Sequence, residues 1–409
     1  MKVRRSKYVS YFIVDGHLPD YSKLLAGRAE LESAVRIVAM SALTESELVL
    51  DKTTFSALVS IPSRGWKDAT ELTGLPLDKV AFLAKSGLVI TDLTDSWATA
   101  LRKKEERLFE VGWHARAATF YFLSKWRGVR LFREIDLEDS DPYLTAMREL
   151  ADDYAQLPED VIKRSPPEDW EHHDVQEKVV LPDVYLNPHT KFLDVLFSRV
   201  SERRFGNNPI PLQLLATILA CAFRPTGYYP SDFYNAYHKT SPSGGGLHPT
   251  EAFILVRSVE DLRAGLYHYY ARRHELHLIR ELDQDYARDK LVSYAAGQPY
   301  TMHAGAGIIL TQRFDRHYWK YYRNDRAALV LSMDVGALAQ TLYLTSTYVG
   351  LPGFFTGAIN AGDIEDDLDL HGPEHGATAL FLLGTPHANP SSEATLVIEK
   401  SAWWKRNHE

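Results

Sequence analysis

Three stretches in the second half of the chain hold side chains whose types and spacing could do chemistry. In Arg199-Val-Ser201-Glu-Arg203-Arg-Phe205, two arginines and a serine occupy alternate positions. Alternate residues of an extended segment share a side, so two guanidinium forks and a hydroxyl would face one ligand. A planar fork of donors suits a phosphate or the electron-rich edge of a ring. The same residues also suit a charged surface loop. The second stretch is Ser241-Pro-Ser-Gly-Gly-Gly-Leu-His-Pro-Thr-Glu251. Consecutive glycines at Gly244, Gly245 and Gly246 permit positive φ and let the backbone approach a flat ligand closely. The Lys-Ser/Thr of a P-loop does not follow them, and the Gly-x-Ser-x-Gly of a nucleophile elbow is absent. His248 and Glu251 lie three apart and could imitate a metal pair. Pro249 falls between them and no further ligands lie nearby, so no metal is expected. The third stretch is Arg313-Phe-Asp-Arg316-His-Tyr-Trp-Lys320-Tyr321-Tyr-Arg323. Lys320 beside Tyr321 pairs a proton acceptor with a donor. A lysine whose pKa is lowered by burial or neighbouring cations can act as a base. Arg313, Arg316 and Arg323 would be such neighbours if they share the site. A basic aromatic run equally suits a surface or interface segment.

The elements that must position these residues can be read from periodicity. An apolar helix is expected over residues 213–223 and a helical run over 191–197. Strands are expected over 252–257, 266–270, 276–279, 307–312 and 379–383, with a turn at 271–275. Residues 327–350 form a long helix, apolar almost all round, which implies burial in a bundle or a subunit interface. The fold class is α+β, with a mostly antiparallel sheet and large buried helices. Gly305-Ala-Gly307 lacks the third glycine of a dinucleotide fingerprint and belongs to the start of a strand.

Earlier in the chain, helices are expected over 52–60, 66–72 and 76–85, closed by Gly87, with a strand over 88–90. Three short helices and a strand resemble a winged helix, suited to peptide docking or dimer contacts; a small helical cap on the main domain fits equally well. Residues 156–183 are rich in proline and acidic side chains and have no helix or strand periodicity, so they are expected to form a linker or exposed arm. His172 and His173, with Glu171 and Asp174, could suggest a metal, but no second ligand pair has zinc-like spacing, so a solvated polar run is expected. The resulting division is 1–155, a linker over 156–185, and 186–409.

With 409 residues, two domains are expected. A net charge of −8, from 46 basic and 54 acidic residues, argues against a general nucleic-acid binder. One cysteine, Cys221, excludes an intramolecular disulfide. Residues 8–14 are too short and too polar for a signal sequence. No run is expected to reach the roughly 18 apolar residues of a membrane helix. A soluble cytoplasmic protein is expected, with no membrane partner.

The order of the three stretches resembles the nitroreductase-like FMN superfamily, and within it the SagB/ThcOx-type dehydrogenases of peptide maturation. The resemblance covers residues 199–386. It rests on Arg199, Ser201 and Arg203, on Pro242, Ser243, Gly245, Leu247, Pro249 and Glu251, and on Gly265-Leu-Tyr-His-Tyr269. Lys320-Tyr321 and Asp334-Val-Gly336 with Gln340 and Gly350-Leu351 complete it. It implies a homodimer with FMN at the subunit interface. Arg199, Ser201 and Arg203 would contact the flavin or its phosphate, and the loop from Pro242 to Gly246 would pass along the ring from the other subunit. Phe355, Thr356 and Gly357 would lie near a flavin-contacting turn. The third glycine, the aromatic Trp319 and Tyr322, and the acidic run over 362–369 depart from the family pattern.

The resemblance further implies oxidation of an azoline to an azole in a ribosomally made precursor peptide, with Lys320 as base and Tyr321 as its hydrogen-bonding partner or proton relay. Dioxygen would take the electrons, and other peptide-modifying enzymes would be partners. A leader peptide could dock on the N-terminal region. Two alternatives remain: a reductase of dehydroamino acids or small molecules using NAD(P)H, and a non-catalytic scaffold that recruits the peptide.

Overall fold

The stretch from Ala252 to Val256 is apolar at every position, so as a strand it must be covered on both faces. The computed structural model places it at the centre of a sheet with helices on each side. The structure describes all residues except 20–30, 74, 112, 124–174, 176, 187, 230–235, 322, 323, 325, 371–373 and 389–409. The chain divides into two units, Met1–Arg133 and Glu134–Glu409.

In the first unit, β1 (Lys2–Arg5) is flanked by β5 (Lys67–Asp68) and β6 (Val89–Thr91), both antiparallel. A separate meander joins β2 (Val9–Pro19), β3 (Leu31–Ser41) and β4 (Ser46–Leu50). The helices are α1 (Lys52–Ser60), α2 (Leu77–Lys85), α3 (Ser96–Val111) and α4 (Ala115–Leu123). Asp51 caps α1 by accepting from the Thr54 amide at 2.7 Å, which satisfies a first-turn donor. Val3, Leu58, Ile61, Val80, Leu83 and Val89 form the core. The helix expected over 66–72 is instead β5 followed by a single 3-10 turn at Ala69–Glu71. Asp68 caps only that turn, and the backbone of Lys67 and Asp68 pairs with β1.

In the second unit the main sheet runs β15 (Gly353–Thr356), β16 (His375–Leu383), β14 (Ala306–Arg313), β11 (Thr250–Val256), β12 (Gly265–Tyr270), β13 (Glu275–Glu281) and β7 (Glu177–Val180). Every pairing is antiparallel. The end of the stretch expected as a linker therefore contributes an edge strand, β7. His172 and His173 lie outside the described residues. Short ladders join β8 (Phe205–Gly206) to β17 (Thr385–Pro386), and β9 (Gly227–Tyr229) to β10 (Ala236–His238).

Ala252, Ile254 and Ile308 face one side, with α6 (Leu212–Phe223) and α9 (Ala327–Tyr348). Phe253, Leu255 and Ile309 face the other, with α7 (Gln284–Tyr294) and α10 (Ala361–Leu368). Two short helices, α5 (Phe192–Ser198) and α8 (Phe314–Lys320), carry the candidate residues at their ends. By length and composition α9 could cross a membrane, contrary to the expectation that no run would qualify. Its Val335, Leu338 and Leu342 lie in the apolar cluster under the sheet.

Candidate active site

Arg199 caps the C-terminus of α5, and the chain leaves it extended towards β8. The Arg199 guanidinium lies over the Tyr343 ring, 5.1 Å from its centre. Ser201 Oγ is 2.8 Å from the Tyr343 hydroxyl, which also accepts from the Phe355 amide at 2.9 Å. Tyr343 on α9 thus ties the first stretch to β15. The Glu202 amide donates to Gly353 O at 3.0 Å and strengthens the tie. Arg203 stacks on Phe354, 4.3 Å from the ring centre, with Tyr300 at 5.9 Å. Among the described residues neither Arg199 nor Arg203 has a carboxylate partner. Two part-buried guanidinium groups on aromatic faces are a donor set suited to an anionic, ring-bearing cofactor. Thr356 is buried and accepts from the Ala358 amide at 3.0 Å, while Gly357 and Gln340 are exposed.

The glycine loop is held by α9 as well. Asp334 accepts from Ser243 Oγ at 2.6 Å and from the Gly244 amide at 3.1 Å. Burial pushes the Asp334 carboxyl above the usual carboxylate range, against the two hydrogen bonds. Ser241 Oγ meets Thr341 Oγ1 at 2.6 Å, so Pro242 lies between two anchored serines. Gly244 to Gly246 form a 3-10 turn in which Gly245 and Gly246 have φ of 65° and 66°.

Lys320 and Tyr321 reach this turn from the end of α8. Lys320 Nζ donates to Gly245 O at 3.4 Å. A Cβ on Gly245 would stand 2.7 Å from Lys320 Nζ, and one on Gly244 would stand 3.3 Å from the Tyr321 hydroxyl. The lysine–tyrosine pair and the glycine loop, 75 residues apart in sequence, therefore form one surface.

The arginines expected beside Lys320 have other engagements. Arg313 pairs with Asp315 at 2.8 Å and Glu251 at 3.2 Å. Arg316 is buried, donates to Leu247 O at 2.6 Å and lies over the Tyr237 ring. Arg323 lies outside the described residues. Arg313 and Arg316 instead fix the part of the loop that follows the glycines, because the Arg313 amide also donates to Pro249 O at 2.8 Å, two residues beyond Leu247. His248 and Glu251 diverge: His248 Nε2 donates to Tyr237 O at 2.9 Å, and Glu251 accepts from His268 at 3.0 Å. Burial pushes His248 down to about 3.

The predicted residues thus fall into two groups. Asp334 and Tyr343 are nine residues apart on α9. That is two and a half turns, so the groups sit on opposite faces, about 14 Å apart along the axis. Tyr343 and Asp334 are the organising side chains. Spacing alone marks neither, although Asp334 falls within the family resemblance.

The site thus sets two guanidinium groups on aromatic faces at one side of α9, and a lysine–tyrosine pair against a glycine turn at the other, on an antiparallel α+β sheet flanked by helices. The sequence model of the Nitroreductase family matches residues 196–385. A Methanocaldococcus jannaschii protein with a provisional nitroreductase name is 30% identical over 193 residues, covering 47% of this chain and 90% of that protein. The trifolitoxin-processing protein TfxB of Rhizobium leguminosarum bv. trifolii is 26% identical over 183 residues, covering 42% of this chain and 48% of its own length. A chain of the E. coli microcin synthetase complex with truncated pro-MccB17 bound is 18% identical, with a TM-score of 0.40, covering 61% of this chain and 95% of that one. The chain belongs to the nitroreductase family of oxidoreductases, which typically binds FMN.

Proposed function

We propose that this chain is an FMN-dependent dehydrogenase of the SagB/ThcOx type, acting on an azoline ring in a ribosomally made peptide. The observation that carries the reading is the seating of Lys320 and Tyr321 against the Gly244–Gly246 turn. A relative whose name is that of a trifolitoxin-processing protein supports a peptide as substrate. Arg199 and Arg203 would hold the cofactor's anionic portion, with Ser201 and the Phe355 to Gly357 turn beside its ring. When bound, FMN supplies a two-electron acceptor for a hydride. Converting an azoline to an azole also removes a proton from the carbon beside the one that loses hydride. Lys320 Nζ takes that proton, and the Tyr321 hydroxyl orients the amine. The glycine turn, having no side chains, lets Lys320 close directly onto the loop backbone and holds its amine there.

A homodimer belongs to this reading, since one chain separates the arginines from the loop by the width of α9. A cytoplasmic setting and partner peptide-modifying enzymes belong to it too. A second reading, reduction of a small molecule by NAD(P)H, draws on the M. jannaschii relative, which is matched over 90% of its length.

The test begins with the visible spectrum of the purified protein, where oxidised-flavin bands and release of FMN on denaturation are expected. Lys320→Ala loaded with FMN should then keep its spectrum and lose azole formation in air, read as the loss of two hydrogens by mass. A protein that stays colourless after FMN addition overturns the cofactor assignment. Full turnover by Lys320→Ala overturns the role of the lysine.

A further inference from the structure

The first unit contains a cavity of about 780 Å³ that the redox reading does not use. Arg5, Lys7 and Arg64 line it together with Tyr11, Phe55 and Phe109. None of the three cations is paired with a carboxylate among the described residues. The Arg5 guanidinium donates to Val59 O at 2.9 Å, and the Lys7 amine lies over Phe109, 5.0 Å from the ring centre. The neighbouring Arg4 shows the contrast, since it is paired with the buried Glu105. Three cations without a carboxylate among the described residues, in one cavity of a chain with net charge −8, are a local reversal of the overall field.

The apolar wall is as specific. Tyr11 and Phe55 meet edge to face at 5.4 Å, and the buried Tyr11 hydroxyl has no hydrogen-bond partner among the described residues. Val9 and Tyr11 lie on β2, the edge strand of its meander. One side of β2 pairs with β3, and the other has no strand partner among the described residues. A strand edge offers main-chain donors and acceptors to an extended chain.

We infer that this cavity binds an acidic peptide segment carrying a bulky apolar side chain. The segment's backbone runs along the β2 edge, its carboxylates meet Arg5, Lys7 and Arg64, and its apolar side chain lies against Phe55 and Phe109. The inference stands on the first unit alone and does not depend on the flavin chemistry.

The test uses the full chain and a labelled peptide of glutamates around one phenylalanine, followed by fluorescence anisotropy. Binding is expected, weakening as salt is raised. A Lys7→Glu, Arg64→Glu double variant should weaken it about tenfold or more, because two attractions become repulsions. Both side chains are exposed, so the fold should survive. Arg107→Glu, a reversal at an exposed arginine on α3 outside the cavity, should leave binding at the parent value. Equal binding of the glutamine counterpart, or an unaffected double variant, overturns the inference. Preference for a single-stranded oligothymidine over the peptide overturns it in favour of nucleic acid.

Discussion

Replacing Gly245 by alanine should stop turnover while leaving the protein folded, and comparison with Gly246→Ala isolates the cause. Both glycines have φ near 65°, so alanine at either pays for a left-handed backbone, about 1–2 kcal/mol. For a unit of this size that lowers Tm by about 2–8 °C. The surroundings differ. An alanine Cβ at Gly246 would have Ala236 Cβ as its nearest neighbour, at 3.6 Å, an ordinary contact. At Gly245 the new Cβ would stand 2.7 Å from both Cδ and Nζ of Lys320 and 2.9 Å from Cε. Carbon atoms settle about 3.5–4.0 Å apart, so the lysine must retreat by about 1 Å. A misplacement of that size at a reacting group costs about 100-fold in rate. The two variants should therefore melt alike, with kcat for azole formation about 100-fold lower in Gly245→Ala than in Gly246→Ala. The assay is the FMN-loaded protein with an azoline peptide in air, beside thermal unfolding of the same samples. Equal kcat values at equal Tm would refute the reasoning, because the Lys320 contact is the one difference between the sites.

Tyr343→Phe keeps the ring under Arg199 but removes the hydroxyl that meets Ser201 and the Phe355 amide. With about 0.5–1 kcal/mol lost for each of the two hydrogen bonds, FMN affinity should fall about tenfold, read by flavin fluorescence on titration; an unchanged Kd excludes Tyr343 as the organiser. A pH effect should come from His375, which is 6% exposed and bonded to Thr311 Oγ1 at 2.7 Å. Burial lowers it from 6.5 to about 4, so between those values the unfolded chain binds the extra proton and stability falls as pH falls. The contribution is present above pH 6.5, and about 2 kcal/mol of it is gone at pH 5. The urea midpoint should drop accordingly between pH 7 and pH 5, and the drop should shrink in His375→Gln; an identical drop in the variant assigns the effect elsewhere.

Much of the fold was legible where one physical signal dominated. Residues 52–60 read as a helix, and that helix is found with the same bounds, its first turn capped by Asp51. The central strand read as buried because Ala252 to Val256 has no polar position. Residues 66–72 carry cap-like residues too, but Asp68 and Thr70 close only a single turn, and backbone pairing with β1 takes the rest. Glu177 to Val180 was hidden because an edge strand covered on one side tolerates charge, and Glu177 pairs with Arg263 on the surface. At the candidate site, residue types pointed to Arg199, Ser201, Arg203 and Lys320. Of the organisers, Asp334 was marked by the family resemblance alone and Tyr343 by no signal. Ser201 meets Tyr343 across 142 positions, and Ser243 meets Asp334 across 91. Those pairings exist only once α9 lies under the sheet, and no local spacing encodes them.

The geometry of α9 also constrains how a flavin site is completed. Val330, Asp334 and Thr341 lie on one face and meet the glycine loop. Tyr343 lies on the opposite face with Arg199 and Ser201. A single flat ligand cannot touch both groups of one chain without wrapping the helix. A twofold pair of chains can present one copy's loop to the other copy's arginines, because an isologous contact repeats each meeting twice. If FMN is held this way, its affinity must depend on protein concentration, since a dissociated chain keeps only half of each site. Dilution through the dimer dissociation constant should release flavin in step with the fall in mass measured by light scattering. Flavin retained by monomers at parent affinity would show that Arg199, Ser201 and Arg203 suffice without the loop.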